Sequence, residues 1–201
     1  MAITPAQTPV PAPQPRVANP SLVLIGLRGS GKSTIAALLA RHLQTISIDL
    51  DDAVAAAHGV SSAADVINKH GLPAFRLAET TALRTALYAT PRAGVIALGG
   101  GTPTAPGAAQ LLAQQAQSRD IRIIYLRASP DCLKARLIAA PSALRPSLTG
   151  AGTLEEIEII YKQRDADYRA LASEIIEVDR LTVEETVRLI LARHPSPASL
   201  S

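Results

Sequence analysis

Nine consecutive residues, Gly26-Leu27-Arg28-Gly29-Ser30-Gly31-Lys32-Ser33-Thr34, satisfy the spacing G-x-x-x-x-G-K-[ST]. The chemistry available to that spacing is phosphate binding. The glycines let the backbone wrap a β-phosphate with its N–H groups, the helix that follows adds the positive end of its dipole, and Lys32 reaches the β and γ oxygens. Gly29, Ser30, Gly31, Lys32, Ser33 and Thr34 are therefore candidate ligands of a nucleotide, and the Ser33 hydroxyl is a candidate ligand of its Mg2+. ATPases, GTPases and kinases all use such a loop, so it leaves the acceptor open. Two absences narrow the choice. There is no N-K-x-D guanine-reading motif, and the later apolar run Val95–Leu98 passes into Gly99-Gly100-Gly101 instead of ending in the acidic residue of a hydrolysing ATPase.

Further along, Asp49 and Asp51 stand two apart after an apolar run. On an extended segment this spacing puts both carboxylates on one face and Leu50 in the core, while Asp52 suits a helix N-cap. One carboxylate could hold Mg2+ and the other accept a hydrogen bond from an attacking hydroxyl. Arg76 and Glu79 share a helical face three residues apart, as do Arg164 and Tyr168 four apart; alone, each pair reads as surface decoration. The glycine patch lets a ligand approach the backbone closely or makes a tight turn.

These groups need a scaffold. From Ser21 onward, short apolar runs alternate with amphipathic stretches, the pattern of a parallel sheet with crossover helices. Strands are expected at Leu22–Gly26, Ile46–Ile48, Val95–Leu98, Ile121–Leu126 and Ile175–Val178. Helices are expected at Ser33–Leu43, Phe75–Tyr88, Ala105–Gln117, Asp131–Ala139, Leu154–Ala172 and Val183–Arg193, the last capped by Thr182 with Glu184 and Glu185 in its first turn. Residues 1–20 carry six prolines among small residues and read as an extended tail. Residues 21–194 form one α/β domain, about 140–153 a lid-like loop around Arg145, and 195–201 a frayed end.

In this order, GLRGSGKST, D-L-D, FRLAE, GGG, R-P-S-L and R-D-A-D-Y, the chain resembles the shikimate kinase family from Ser21 to Arg193. The resemblance implies a three-layer P-loop kinase fold of the nucleoside-monophosphate-kinase type, with a five-stranded parallel sheet flanked by helices and a closing lid. It implies transfer of the γ-phosphate of ATP to the 3-hydroxyl of shikimate, on the route to chorismate and aromatic amino acids. It also implies that Asp51, Arg76, Gly100, Gly101 and Arg164 hold shikimate, and that Asp49 and Ser33 organise Mg2+. Lys32, Asp51 and Arg145 would then be catalytic, with Arg145 swinging from the lid onto the phosphates and Arg136 beside the adenine. Two other readings stand: a gluconate-kinase-like enzyme sharing Lys32, Ser33 and Asp49, and a sensor that keeps the pocket without turnover.

Composition bounds the partners. Net charge is only +3 with dispersed basic residues, mostly Arg, and there is no Trp and one Phe, so the stripes and stacking platforms of nucleic-acid binders are missing. The core is expected to consist of Ala, Leu, Ile and Val rather than rings. No apolar run reaches the roughly 18 residues that span a bilayer, and the start lacks the order of a secretory signal. A cytoplasmic monomer is expected. The single Cys132 suits a small core hydrophobe, and His42, His58, His70 and His194 form no spaced cluster.

Overall fold

The computed structural model describes residues 20–89, 94–118, 120–139 and 154–194. The tail before Pro20, the lid-like segment with Arg145 and the stretch after His194 lie outside these. The first strand, β1 (Ser21–Ile25), is buried at every position, as a run of Leu, Val and Ile must be when both faces of a parallel sheet are covered. Beside it lie β2 (Ser47–Asp49), β3 (Val95–Ala97), β4 (Ile121–Arg127) and β5 (Glu174–Glu177), in the order β2-β3-β1-β4-β5. Every pairing is parallel, with Val23 opposite both Ile96 and Ile123. All five strands appear within one residue of the ends that the apolar runs give them.

The crossovers are helical. α1 (Lys32–His42) and α8 (Val183–Arg193) pack together on one face of the sheet, while α5 (Ala108–Gln117) and α7 (Glu156–Leu171) pack against β4 on the other. α6 (Pro130–Ala139) leans on α7. α8 starts as expected: the Thr182 side chain accepts from Glu185 N, and the Glu185 carboxylate accepts from Thr182 N, closing a capping box. α5 begins at Ala108, later than expected, because Pro106 and Gly107 delay it and a 3-10 turn (Thr102–Thr104) comes first.

Two helices were not expected from the sequence. α2 (Leu50–Ala57) and α3 (Ala63–His70) are short, and with α4 (Leu72–Ala89) they form a group beside the β2 edge. Val54, Ala63, Val66 and Phe75 close a small apolar core of their own between them. α2 also corrects the geometry expected of the two aspartates. The chain turns helical at Leu50, so Asp51 lies in the first turn of a helix and not on an extended strand. The cap is Asp49, not Asp52: its Oδ1 accepts from Asp51 N at 3.0 Å. An Asp ahead of the Ala-rich run Asp52–Ala57 favours this ending of the strand.

The main core is aliphatic, as composition requires, with one qualification. Its two largest fully buried side chains are Tyr125 and Tyr168, whose rings meet edge to face at 5.2 Å. Both carry a hydroxyl that must be satisfied inside the protein. Cys132 is half-buried against the core, and burial pushes its thiol above the ordinary range, which fits a packing role. Among the described residues no helix is long and apolar enough to cross a membrane.

Candidate active site

β1 ends beside β3 on one flank and β4 on the other, and ligands of such sheets collect at the carboxyl ends of the strands where the order reverses. The phosphate loop leaves β1 at this point. Gly31, at φ 91°, turns the chain into α1. Ser30 is 1% exposed, and its Oγ finds no hydrogen-bond partner among the described residues. Lys32 is buried too, and its Nζ donates to Leu27 O at 2.9 Å across the loop. Ser33 and Thr34 open α1 on its exposed side. Ser33 Oγ donates to Asp49 Oδ2 at 2.5 Å, so the loop hydroxyl and the carboxylate at the end of β2 meet although sixteen residues separate them.

Gly99, Gly100 and Gly101, after β3, gather the remaining candidates. A Cβ on Gly99 would overlap Asp51 Oδ1 and lie 2.9 Å from Glu79 Oε1 and 3.0 Å from Thr102 Oγ1. A Cβ on Gly101 would fall inside the Arg76 guanidinium. Gly100 O accepts from Arg164 Nη1 at 2.6 Å and from the Tyr168 hydroxyl, while a Cβ on Gly100 would come within 3.4 Å of Arg28 N in the phosphate loop. Three adjacent glycines thus bring Asp51 from α2, Arg76 from α4 and Arg164 from α7 to one place beside the loop. The patch also makes the tight turn that was one of its two readings, with Thr102 N donating to Gly99 O at 3.0 Å.

The pair Arg76 and Glu79 departs from the surface pair that its spacing suggests alone. Glu79 is 1% exposed; its Oε2 accepts from Arg76 Nη1 at 2.5 Å and its Oε1 from Thr102 Oγ1 at 2.7 Å. Burial pushes the Glu79 carboxyl above its ordinary range, against the lowering by Arg76 and Thr102, and the nearby Asp51 charge adds to the rise. Tyr168 is likewise no surface decoration but fully buried, and burial pushes its hydroxyl up to about 12. Glu79, Thr102, Gly99 and Tyr168 were not expected as site residues. Glu79 and Tyr168 left a signal in their places three residues after Arg76 and four after Arg164, and Gly99 in the glycine run; Thr102 left none, because its contact depends on how distant segments meet.

At the other end of the loop, α6 lies against Gly29, where a Cβ would touch the Leu133 carbonyl and the Leu137 side chain at 3.5 Å. Arg136 donates to Val178 O at 2.6 Å and to Gly29 O at 3.4 Å, bridging the loop and the end of β5. Arg145 lies outside the described residues. No group of three or more His, Cys, Asp or Glu that could hold a metal occurs among the described residues.

The sequence model described as shikimate kinase matches residues 28–194. The chain belongs to the shikimate kinase family. It is 34% identical to a shikimate kinase of Rhodopirellula baltica over 177 residues, 87% of this chain and 90% of that one. Among solved structures, the shikimate kinase of Acinetobacter baumannii in complex with shikimate superposes with a TM-score of 0.72 at 26% identity, over 89% of this chain and 96% of that one. The shikimate kinase of Bacteroides thetaiotaomicron, at 22% identity, shares the fold with a TM-score of 0.73 over 87% and 97% of the two chains. This shikimate kinase family member is an ATP-dependent kinase, and its parallel sheet flanked by helices is the P-loop kinase fold.

Proposed function

We propose that the chain transfers the γ-phosphoryl group of ATP to the 3-hydroxyl of shikimate, giving shikimate 3-phosphate and ADP. One observation carries the reading: two guanidinium groups, Arg76 and Arg164, reach adjacent residues of one glycine patch, with Asp51 beside them and the phosphate loop behind. Two converging arginines suit a carboxylate, which accepts forked hydrogen bonds worth about 1.5–3 kcal/mol for each charged contact. With the carboxylate of a small ring fixed between them, Asp51 is left to bond the ring hydroxyls and orient the attacking oxygen. Gluconate offers a carboxylate as well, but on an open chain that two fixed arginines would not orient.

The phosphate side fits ATP on its own evidence. The orphan Ser30 hydroxyl is a buried polar group costing about 1–3 kcal/mol unless a ligand satisfies it, and it lies within a loop made to receive phosphate. Lys32 would exchange its bond to Leu27 O for phosphate oxygens. Ser33 and Asp49 fit Mg2+, a hard cation that takes one or two protein oxygens and completes its shell with water and phosphate. Bound there, Mg2+ would neutralise phosphate charge as the γ-phosphoryl group leaves. Arg136 would flank the adenine, and Arg145 would supply positive charge to the phosphates from the lid. We place this reaction in the cytoplasm and in a monomer.

The test is ADP release by the purified chain with ATP and Mg2+, offered shikimate, quinate, gluconate or no acceptor. Turnover with shikimate alone is expected. Turnover with gluconate would favour the open-chain reading, and shikimate binding without turnover would favour a sensor.

A further inference from the structure

Among the described residues, a polar cluster outside the phosphate loop and glycine patch centres on Asp165, one residue after Arg164 on α7. Its Oδ1 accepts from Tyr125 Oη at 2.9 Å and from Arg127 Nε at 2.8 Å, and its Oδ2 accepts from Arg169 Nε at 2.9 Å. Arg127 is itself fully engaged. Its Nη1 donates to Glu177 Oε1 at 2.8 Å, its Nη2 donates to the Tyr161 hydroxyl, and its guanidinium lies 5.5 Å from the Tyr161 ring centre. The cluster therefore joins the ends of β4 and β5 to α7, and Asp165 is the residue on which three donors meet. Burial disfavours the Asp165 charge, but bonds from Arg127 and Tyr125 and the nearby Arg169 outweigh it and hold the carboxyl below its ordinary range.

The cluster's position gives it a consequence at the acceptor site. Tyr125 pairs in register with Ile25, the residue just before Gly26 of the phosphate loop. Its ring packs edge to face on Tyr168, and Tyr168 and Arg164 both donate to Gly100 O. Arg164 and Asp165 are about 100° apart around the helix, so fixing one fixes the direction of the other. Resting on the shikimate kinase reading above, we propose that Asp165 is a positioning residue: its bonds to Tyr125, Arg127 and Arg169 lock the roll of α7 on the sheet and so aim Arg164 at the acceptor. Asp165 touches neither substrate, and the cluster sets acceptor affinity while leaving the nucleotide side alone.

The experiment compares Asp165→Asn and Tyr125→Phe with the unaltered chain, alone and in an Arg164→Ala background. Asp165→Asn should raise KM for shikimate about tenfold and leave KM for ATP within about twofold, and Tyr125→Phe, which keeps the ring on Tyr168, should raise the shikimate KM about threefold. In the Arg164→Ala background neither change should add further loss, because the cluster acts through Arg164. A second arm needs no acceptor: hydrogen exchange of the ligand-free protein should quicken in α7 and in residues 98–102 with Asp165→Asn. Equal rises in both KM values, full additivity with Arg164→Ala, or unchanged exchange in α7 would each overturn the proposal. If the unaltered chain turned over no shikimate, the functional reading would fall, and the exchange arm would still decide whether Asp165 positions α7.

Discussion

Gly101 and the Arg76 guanidinium occupy neighbouring space so tightly that no side chain fits between them. Gly101→Ala is therefore a probe of Arg76 that leaves Arg76 in place. The methyl must displace the guanidinium from Glu79 or push the glycine patch away, so KM for shikimate should rise at least about tenfold while KM for ATP changes little, as steady-state kinetics would read. An equal loss for both substrates would mean that the patch serves the phosphate loop instead. At this scale the legible residues are those whose chemistry is local. The phosphate loop declares itself because its glycines, Lys32 and Ser33 act from one turn of chain. Glu79 looked like half of a surface pair because nothing local says that Thr102, twenty-three residues on, closes over it.

At the scale of elements, α2 carries the clearest coupling of stability to function. Asp49 caps the helix through Oδ1 and meets Ser33 through Oδ2, so one carboxylate has two separable tasks. Asn caps a helix about as well as Asp, whereas Ala loses roughly 1 kcal/mol of cap. Asp49→Asn should keep the melting temperature but raise the Mg2+ concentration needed for half-maximal turnover, and Asp49→Ala should lower both stability and turnover. Thermal melts beside Mg2+ titrations of activity separate the two effects. α2 and α3 were missed because each is only 8 residues long, too short to show a helical period, and their stability comes from Phe75 and Val66 packing across from one another. β1 and β3 were legible for the opposite reason: they are buried at every position, and burial on both faces demands an unbroken apolar run.

Over the whole molecule, pH acts on two partly buried carboxylates, Asp165 on α7 and Glu174 at the start of β5 beside the end of α8. Burial opposes ionisation of Glu174, but Arg193 and His194 hold it below its ordinary value of 4.5, as Arg127 and Tyr125 hold Asp165 below 3.8. The folded state thus binds these protons less readily than the unfolded chain. Their contribution is complete above the ordinary values and is lost as pH falls through the lower folded ones. Glu79 runs the other way: its raised carboxyl makes the folded state hold a proton longer, so its contribution falls as pH rises from 4.5. Urea unfolding midpoints should drop as pH falls below about 4, and Asp165→Asn should flatten part of that drop. An unchanged slope in the variant would remove Asp165 from the account. The topology itself was legible as alternating strands and helices, but the strand order was not, since nothing in a run of valines says which neighbour it will choose.

Asp51, held against Gly99 beside the two arginines, is the residue proposed to orient shikimate for attack on the γ-phosphate. The most direct test is ADP release with ATP, Mg2+ and shikimate by the purified chain beside Asp51→Asn, a change that keeps shape and removes the charge. The account predicts turnover that depends on shikimate and falls about 100-fold or more in the variant, the scale of losing a positioned acid–base group. Equal turnover by both proteins would contradict it.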